Sequence, residues 1–316
     1  MQRKQLQMKY INTLGDLMNG YINVFKPRGL TSHDVVKKVK KILKVKKVGH
    51  TGTLDPNASG VLPICIGKAT RTSEYLLNAD KTYIGELTLG ISTDTQDVEG
   101  SVLNYSDKKV KEKDIINVFN QYRGEIYQTP PMYSALKFKG KKLYELARTG
   151  VEVEREKRKI YIYDIDVLNI QDNEKILFSV KCSRGTYIRT LCNDIGEDLG
   201  TYGYMSYLIR TVVGSFKISD AVSLETIQKK SEMNKIYDIL YPIDYPLSDI
   251  EPIYVPNFYY NQLANGMPID IDVIDTKNIN TRGDILRVYC KDTFIGIGRV
   301  IKVNERVVLK LDKVLM

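Results

Sequence analysis

The run Gly49-His50-Thr51-Gly52-Thr53-Leu54-Asp55-Pro56-Asn57-Ala58-Ser59-Gly60-Val61-Leu62-Pro63 is the most informative stretch of this 316-residue chain. Its glycines let the backbone take positive φ or pass close to a ligand. Pro56 restricts Asp55 to an extended conformation. A loop with these properties is built to hold one carboxylate rigidly. It is no phosphate-binding loop, because Gly67-Lys68 is followed by Ala69 and preceded by the wrong glycine spacing. Spacing alone leaves two accounts standing, an aspartate that closes a tight turn and a carboxylate that does chemistry.

Working outward toward the N-terminus, residues 20–25 read as a strand, and Lys26-Pro27-Arg28-Gly29 as a turn. A helix follows, capped by Thr31 or Ser32, with Val35, Val36, Val39, Ile42 and Leu43 on one face. Lys37, Lys38, Lys40, Lys41 and Lys44 crowd the other face. In the other direction come an apolar stretch over 61–66, a helix around 71–77 and an alternating strand over 81–89. The spacing predicts a helix over 112–123, with Ile115, Ile116, Phe119 and Tyr122 inward and Gly124 as its stop. Residues 128–159, Pro-led, basic and tyrosine-bearing, read as an excursion from a sheet. Strands resume over 160–170 and 175–183, where Ile176, Phe178, Val180 and Cys182 share a face at period two. Ile188, Leu191, Cys192, Ile195 and Leu199 have helical spacing, ended by Gly200. Short β-rich runs over 285–290, 294–303 and 306–311 have the pattern of a small β-barrel, with a domain boundary near Ser248.

The 43% hydrophobic and 27% charged composition is that of a soluble globular protein, and no apolar run approaches the roughly 20 residues of a membrane span. Residues 1–20 lack the apolar core and cleavage site of a signal peptide, so the expected location is the cytoplasm. Cys65, Cys182, Cys192 and Cys290 are scattered without a CxxC pair, and with only His33 and His50 beside them they make no zinc site. They read as reduced core thiols. The net charge is +9, and residues 1–50 hold twelve Lys or Arg against two Asp, a local +10. An excess so localised fits a polyanionic partner, and a solvated lysine-rich face fits it as well.

Three segments resemble, in order and separation, the signatures of the bacterial tRNA pseudouridine-55 synthases of the TruB type. They are Lys26-Pro27-Arg28-Gly29-Leu30-Thr31-Ser32, the block over 49–71, and Ser183-Arg184-Gly185-Thr186-Tyr187-Ile188-Arg189-Thr190-Leu191. The resemblance runs from about Met18 to Pro242. It implies an α+β fold, a mixed, mostly antiparallel central sheet with flanking helices and a cleft, a thumb-like insertion over about 128–159 and a small PUA-like β-barrel. The implied domains are an extension over 1–17, a catalytic domain over 18–248 and an RNA-binding domain over 249–316.

The same resemblance supplies residue roles. Asp55 matches the catalytic aspartate, Tyr83 the aromatic residue that stacks on the target base and is a proposed proton acceptor, and Arg189 the partner of the carboxylate. His50 matches a side chain that holds the extruded nucleotide, Tyr187 and Leu208 match residues that line the uridine pocket, and Lys26, the basic residue of the first signature, and Asp97, in a cleft segment, are expected to bind substrate as well. Ile209 sits where the family often has a second basic residue. The implied activity is isomerisation of a tRNA T-arm uridine, expected at tRNA position 55, by base flipping. The implied enzyme is a monomer that needs no metal, organic cofactor, guide RNA, membrane or obligatory protein partner. A silent RNA-binding relative, an N-glycoside hydrolase and a guide-RNA-dependent relative are the competing readings. The first predicts a disrupted Asp55, Tyr83 and Arg189 set, and all three are present. Many glycosidases pair two carboxylates, and the central block has only Asp55.

Overall fold

Alternation of inward apolar and outward polar residues draws most of the chain's strands into one large sheet. The computed structural model describes residues 18–270, 285–303 and 306–316; the extension expected over 1–17 lies outside them. In chain order the strands up to Tyr241 are β1 (Gly20–Lys26), β2 (Val48–His50), β3 (Ser59–Ile66), β4 (Lys81–Leu89), β5 (Ile91–Thr93), β6 (Val102–Tyr105), β7 (Gly124–Gln128), β8 (Lys137–Phe138), β9 (Lys141–Lys142), β10 (Arg158–Gln171), β11 (Lys175–Cys182), β12 (Gly203–Val213), β13 (Phe216–Lys217) and β14 (Leu240–Tyr241). The main sheet runs β14-β1-β3-β12-β4-β11-β10-β7, with β2 on β3 and β13 on β12. All its pairings are antiparallel except β3 with β12. This is the mixed, mostly antiparallel α+β arrangement the resemblance implies.

Helix α1 (Ser32–Leu43) begins where its residues dictate. Thr31 and Asp34 form a reciprocal capping box, and Val35, Val36 and Val39 bury one stripe against β1 and β3. The helix expected around 71–77 is a 3₁₀ turn (Gly67–Thr72) that leads into α2 (Ser73–Asn78). In α3 (Glu112–Gln121) Ile115 and Phe119 are buried one turn apart, whereas Ile116, expected inward, is exposed. One residue is a rotation of about 100°, which carries it off the stripe. The excursion expected over 128–159 leaves the sheet over 129–157, its ends paired in β7 and β10, and carries the β8–β9 hairpin and α4 (Leu143–Ala147). Helix α5 (Ile188–Asp198) lays Ile188, Leu191, Cys192 and Ile195 on the core formed by the buried faces of β4, β10 and β11. All four cysteines are free and buried.

Strand β12 has no counterpart in the expectations, because its outward residues Tyr204, Ser206 and Tyr207 give a weak and bulge-interrupted alternation. It is nevertheless the central strand that joins β3 to β4. After α6 (Leu224–Glu232), the tail forms β15 (Pro252–Val255), α7 (Tyr260–Ala264), β16 (Ile269–Asp270), β17 (Ile285–Cys290), β18 (Thr293–Val303) and β19 (Arg306–Val314). These strands make a separate curled sheet in the order β15-β17-β18-β19-β16, a half-barrel. It rests on the larger unit through Leu247, Tyr289, Phe294, Ile297 and Leu315 and through a bond from the Tyr289 hydroxyl to Asp244 Oδ2 (2.6 Å).

Candidate active site

Asp55 sits in the connection between β2 and β3, and the first signature segment fastens that connection from beneath. Gly29 N–H donates to Pro56 O (2.9 Å). The buried Ser32 hydroxyl donates to Leu54 O (3.0 Å) and accepts from Leu54 N–H (2.9 Å). Ala58 N–H closes a turn onto Asp55 O (3.1 Å). Gly60 has φ +111°, and a Cβ there would lie 2.2 Å from Arg210 O, so only glycine lets β3 start beside β12. With so many backbone groups committed, the Asp55 side chain is left projecting at 38% exposure.

Lys26 departs from its expected role. It is fully buried, and its Nζ donates to Pro27 O (3.0 Å), Leu30 O (2.7 Å) and Pro56 O (3.1 Å). Those three bonds use all the donors of an ammonium. Lys26 therefore braces the aspartate loop from below instead of offering its charge at the surface. Burial pulls its pKa down to about 8, against the upward pull of Asp55.

Arg189, one residue into α5, reaches out of the core at 7% exposure. Its Nε lies 3.0 Å from Asp55 Oδ2 and its Nη1 3.5 Å from Asp97 Oδ2. The remaining donors meet Thr95 O (3.3 Å) and Tyr133 O (3.0 Å), so the base of the 128–159 insertion is tied to the same guanidinium. Asp97 is itself held, accepting from Thr95 Oγ1 (2.6 Å) and Glu99 N–H (3.1 Å) on its other oxygen. Buried at 8% exposure and turned toward Arg189, it is a carboxylate that orients the arginine rather than one that lines an open pocket. A buried cation shared by two carboxylates stays charged and fixed in direction.

Tyr83 lies on β4, on the same face of the sheet as Leu208 on β12. Burial pushes the Tyr83 phenol up to about 12, with Arg210 pulling the other way. Leu208 is buried in the core that also holds Leu54 and Tyr83. His50 ends β2, where its Nδ1 accepts from Gly52 N–H (3.3 Å). Burial, then Arg210 and His33, lower its pKa below 6.5, which leaves a neutral ring with one free donor. Tyr187 is half-buried at the N-cap of α5, its backbone clasped by Gln128 through two bonds (2.8 and 3.0 Å). Asp55 is thus paired with Arg189 and lies near enough to Tyr83 and Tyr187 for its charge to act on both, while Lys26 sits beneath the loop, Asp97 holds Arg189 and Leu208 belongs to the core under Tyr83.

One participant has no sequence-level expectation. Arg210, the next inward position after Leu208 on β12, is 2% exposed and donates to Val61 O (2.8 Å), Thr53 O (3.3 Å) and Gly52 O (3.2 Å). An arginine on the inward face of a strand is the signal that marks it, one residue beyond Ile209. Among the described residues no three His, Cys, Asp or Glu side chains cluster as a metal site would require. No described helix is long and apolar enough to cross a membrane.

The chain matches the TruB family pseudouridylate synthase N-terminal domain over residues 40–188, and the tRNA pseudouridylate synthase B C-terminal domain over 189–248. It is 49% identical to a protein of Alkaliphilus oremlandii named tRNA pseudouridine synthase B, across 90% of this chain and 93% of that one. A protein of the same name in Clostridioides difficile is 46% identical across 94% of this chain and 99% of its own. Among solved structures, an H/ACA RNP bound to a substrate RNA containing 2'-deoxyuridine superposes with a TM-score of 0.72 at 27% identity, covering 94% of this chain and 85% of that one.

Proposed function

The chain belongs to the TruB family of pseudouridylate synthases, and on that footing we propose that it isomerises a T-arm uridine of tRNA, expected at tRNA position 55, with Asp55 as its catalytic carboxylate. Conversion of uridine to pseudouridine in tRNA is the activity these relatives carry in their names. The observation that supports the assignment of Asp55 is its ion pair with Arg189 (3.0 Å) in a loop whose backbone is committed elsewhere.

The reaction breaks the N1–C1′ glycosidic bond, turns the base and joins C5 to C1′. The proton on C5 is released and one proton ends on N1, so no electrons enter or leave. A carboxylate serves by attacking or stabilising the sugar, or by acting on the base. Asp55 acts as a carboxylate in either role, and the adjacent guanidinium holds one of its oxygens in place. Tyr83, a neutral phenol at physiological pH, offers a ring for stacking and a hydroxyl as donor; its buried state makes it a poor proton acceptor unless it passes its own proton on.

The target base is stacked in the tRNA elbow, and extruding it costs a few kcal/mol. Contacts elsewhere must supply that energy. The lysine face of α1, the basic 128–159 insertion as a thumb, and the C-terminal sheet as a PUA-like module fit phosphate and shape contacts of the kind RNA helices accept. Catalytic and RNA-binding domains over 18–248 and 249–316 follow from that division of labour. We read the enzyme as a monomer that works without guide RNA, supported by matches to stand-alone-length bacterial relatives along nearly their whole sequence.

The test is to incubate an unmodified tRNA transcript with the purified protein alone and map pseudouridine along it. One modified T-arm uridine with unchanged RNA mass is expected. Release of free uracil would make the protein a hydrolase, and conversion only after a guide RNA is added would overturn the stand-alone reading.

A further inference from the structure

Strand β12 lies between β3 and β4, and Ile209 and Arg210 are the residues where all three meet, with Arg210 the one that points inward. It pairs across one side with Tyr83 of β4 and across the other with Gly60, the last residue of the aspartate loop. Its fully buried guanidinium binds that loop at both ends. Nη2 and Nη1 take the carbonyls of Gly52 and Thr53, on the way to Asp55, and Nε takes the carbonyl of Val61, on the way out. On the β4 side Arg210 stands in register directly opposite Tyr83, on the same face of the sheet. Gly52 has φ +134°, a conformation open to glycine and few others, so this part of the loop has the backbone freedom to move if nothing holds it. A planar fork with fixed donor directions is suited to binding several carbonyls at once, and an ammonium is not.

We propose that Arg210 is a positioning residue for the isomerisation: it sets the place of the Asp55 carboxylate relative to the Tyr83 ring by clamping the Gly52–Thr53 and Val61 backbone from a strand position directly opposite Tyr83, without touching RNA. The proposal rests on the reading of Asp55 and Tyr83 given above. Its physical content is that the reacting groups come from distant parts of the chain. Asp55 arrives on a loop and Tyr83 on a strand, and Arg210 ties that loop to the strand paired with Tyr83. A displacement of about 1 Å between groups that must flank one ribose and its base is worth about a hundredfold in rate. Arg210 also places a positive charge beside the phenol and near Lys26, which opposes the effect of burial on Tyr83. Its burial at 2% exposure keeps solvent and phosphate away from the guanidinium, so its influence passes through protein groups alone.

The experiment uses the full-length enzyme, Arg210→Lys and Arg210→Gln. Single-turnover conversion of unmodified tRNA is measured at saturating enzyme, well below each variant's melting temperature, beside tRNA affinity at fixed salt. For Arg210→Lys, which keeps the charge and loses the fork, conversion should slow by more than about tenfold and on the order of a hundredfold, with affinity unchanged within about threefold. Arg210→Gln should be at least as slow. If the lysine variant converts within about tenfold of the parent, charge or packing suffices and the positioning role is overturned; it is equally overturned if the loss appears as weaker RNA binding. Should Arg210→Gln fail to fold, the lysine variant decides alone, and failure of both would make Arg210 a folding residue instead. A parent enzyme that makes no pseudouridine, or an Asp55→Asn variant as fast as the parent, sinks the reading of the site itself and is told apart by those two controls.

Discussion

Arg189 holds Asp55 through a single nitrogen, Nε at 3.0 Å from Oδ2, while its Nη1 meets Asp97 and Thr95 and its Nη2 meets Tyr133. The arginine is thus fixed before Asp55 is considered, and the carboxylate is aimed by a group that cannot follow it. Asp55→Asn preserves shape and removes the charge. It should abolish isomerisation while leaving tRNA affinity within about tenfold, about 1.4 kcal/mol. Arg189→Met should also slow conversion, because it leaves Asp97 buried opposite no cation and Asp55 unaimed. Single-turnover assays with parallel binding check both, and substantial turnover by the asparagine variant would remove Asp55 from the mechanism.

Lys26→Met tests the brace under the loop. The change takes the ammonium donor from three carbonyl oxygens in part-buried bonds, those of Pro27, Leu30 and Pro56, the last of which keeps Gly29 N–H. A loss of about 2–3 kcal/mol of stability is expected, with RNA affinity nearly unchanged because the ammonium is not at the surface. Denaturant unfolding and binding at fixed salt measure the two. A folded, stable variant that has lost RNA affinity would restore Lys26 to a direct contact.

Replacing Lys37, Lys38, Lys40 and Lys41 by Glu should weaken tRNA binding and flatten its salt dependence, since each lost phosphate contact removes about 0.7 to 0.9 from the log-log slope. All four lysines are exposed opposite the buried valine stripe of α1, so the fold should persist. The rate on already bound RNA should change less than the affinity. An unaltered slope would return these lysines to a solvated face.

Asp194, on α5 between Asn193 and the acidic pair Glu197 and Asp198, gives the fold a pH dependence. Burial, with those two carboxylates adding to it, raises its pKa from 3.8 to about 6. The folded state therefore holds this proton more tightly than the unfolded chain, and the stability it contributes is lost as pH rises through about 6. Asp194→Asn should raise the melting temperature at about pH 7.5 by about 2–4 °C, about 1 kcal/mol once partial exposure is allowed for, with a smaller gain at about pH 5. Thermal unfolding of both proteins at the two pH values decides it; an equal or larger gain at the lower pH would mean that Asp194 is not the source.

Much of the molecule was written in short-range terms. The capping box of Thr31 and Asp34, the period-two face of Ile176 to Cys182 and the helical spacing from Ile188 to Leu199 each depend on residues within a few positions of one another. Their elements appear close to where the periodicity puts them. The Gly49 to Pro63 run likewise announced a loop holding one carboxylate, because glycine and proline act on the backbone locally. What no local pattern carried is which distant groups share a space. Lys26, a signature cation, turned inward once its ammonium met three carbonyls, and β12 became the central strand despite a broken alternation. Arg210 reaches Thr53 across 157 positions of sequence, and Arg189 reaches Asp97 across 92. Such contacts are set by strand order and register, and these are decided by the packing of the whole sheet. The sequence by itself determined most of the elements and the loop that presents Asp55; only the tertiary structure decided which cations hold that carboxylate in place, because hydrogen-bond partners are chosen by three-dimensional proximity and not by separation along the chain.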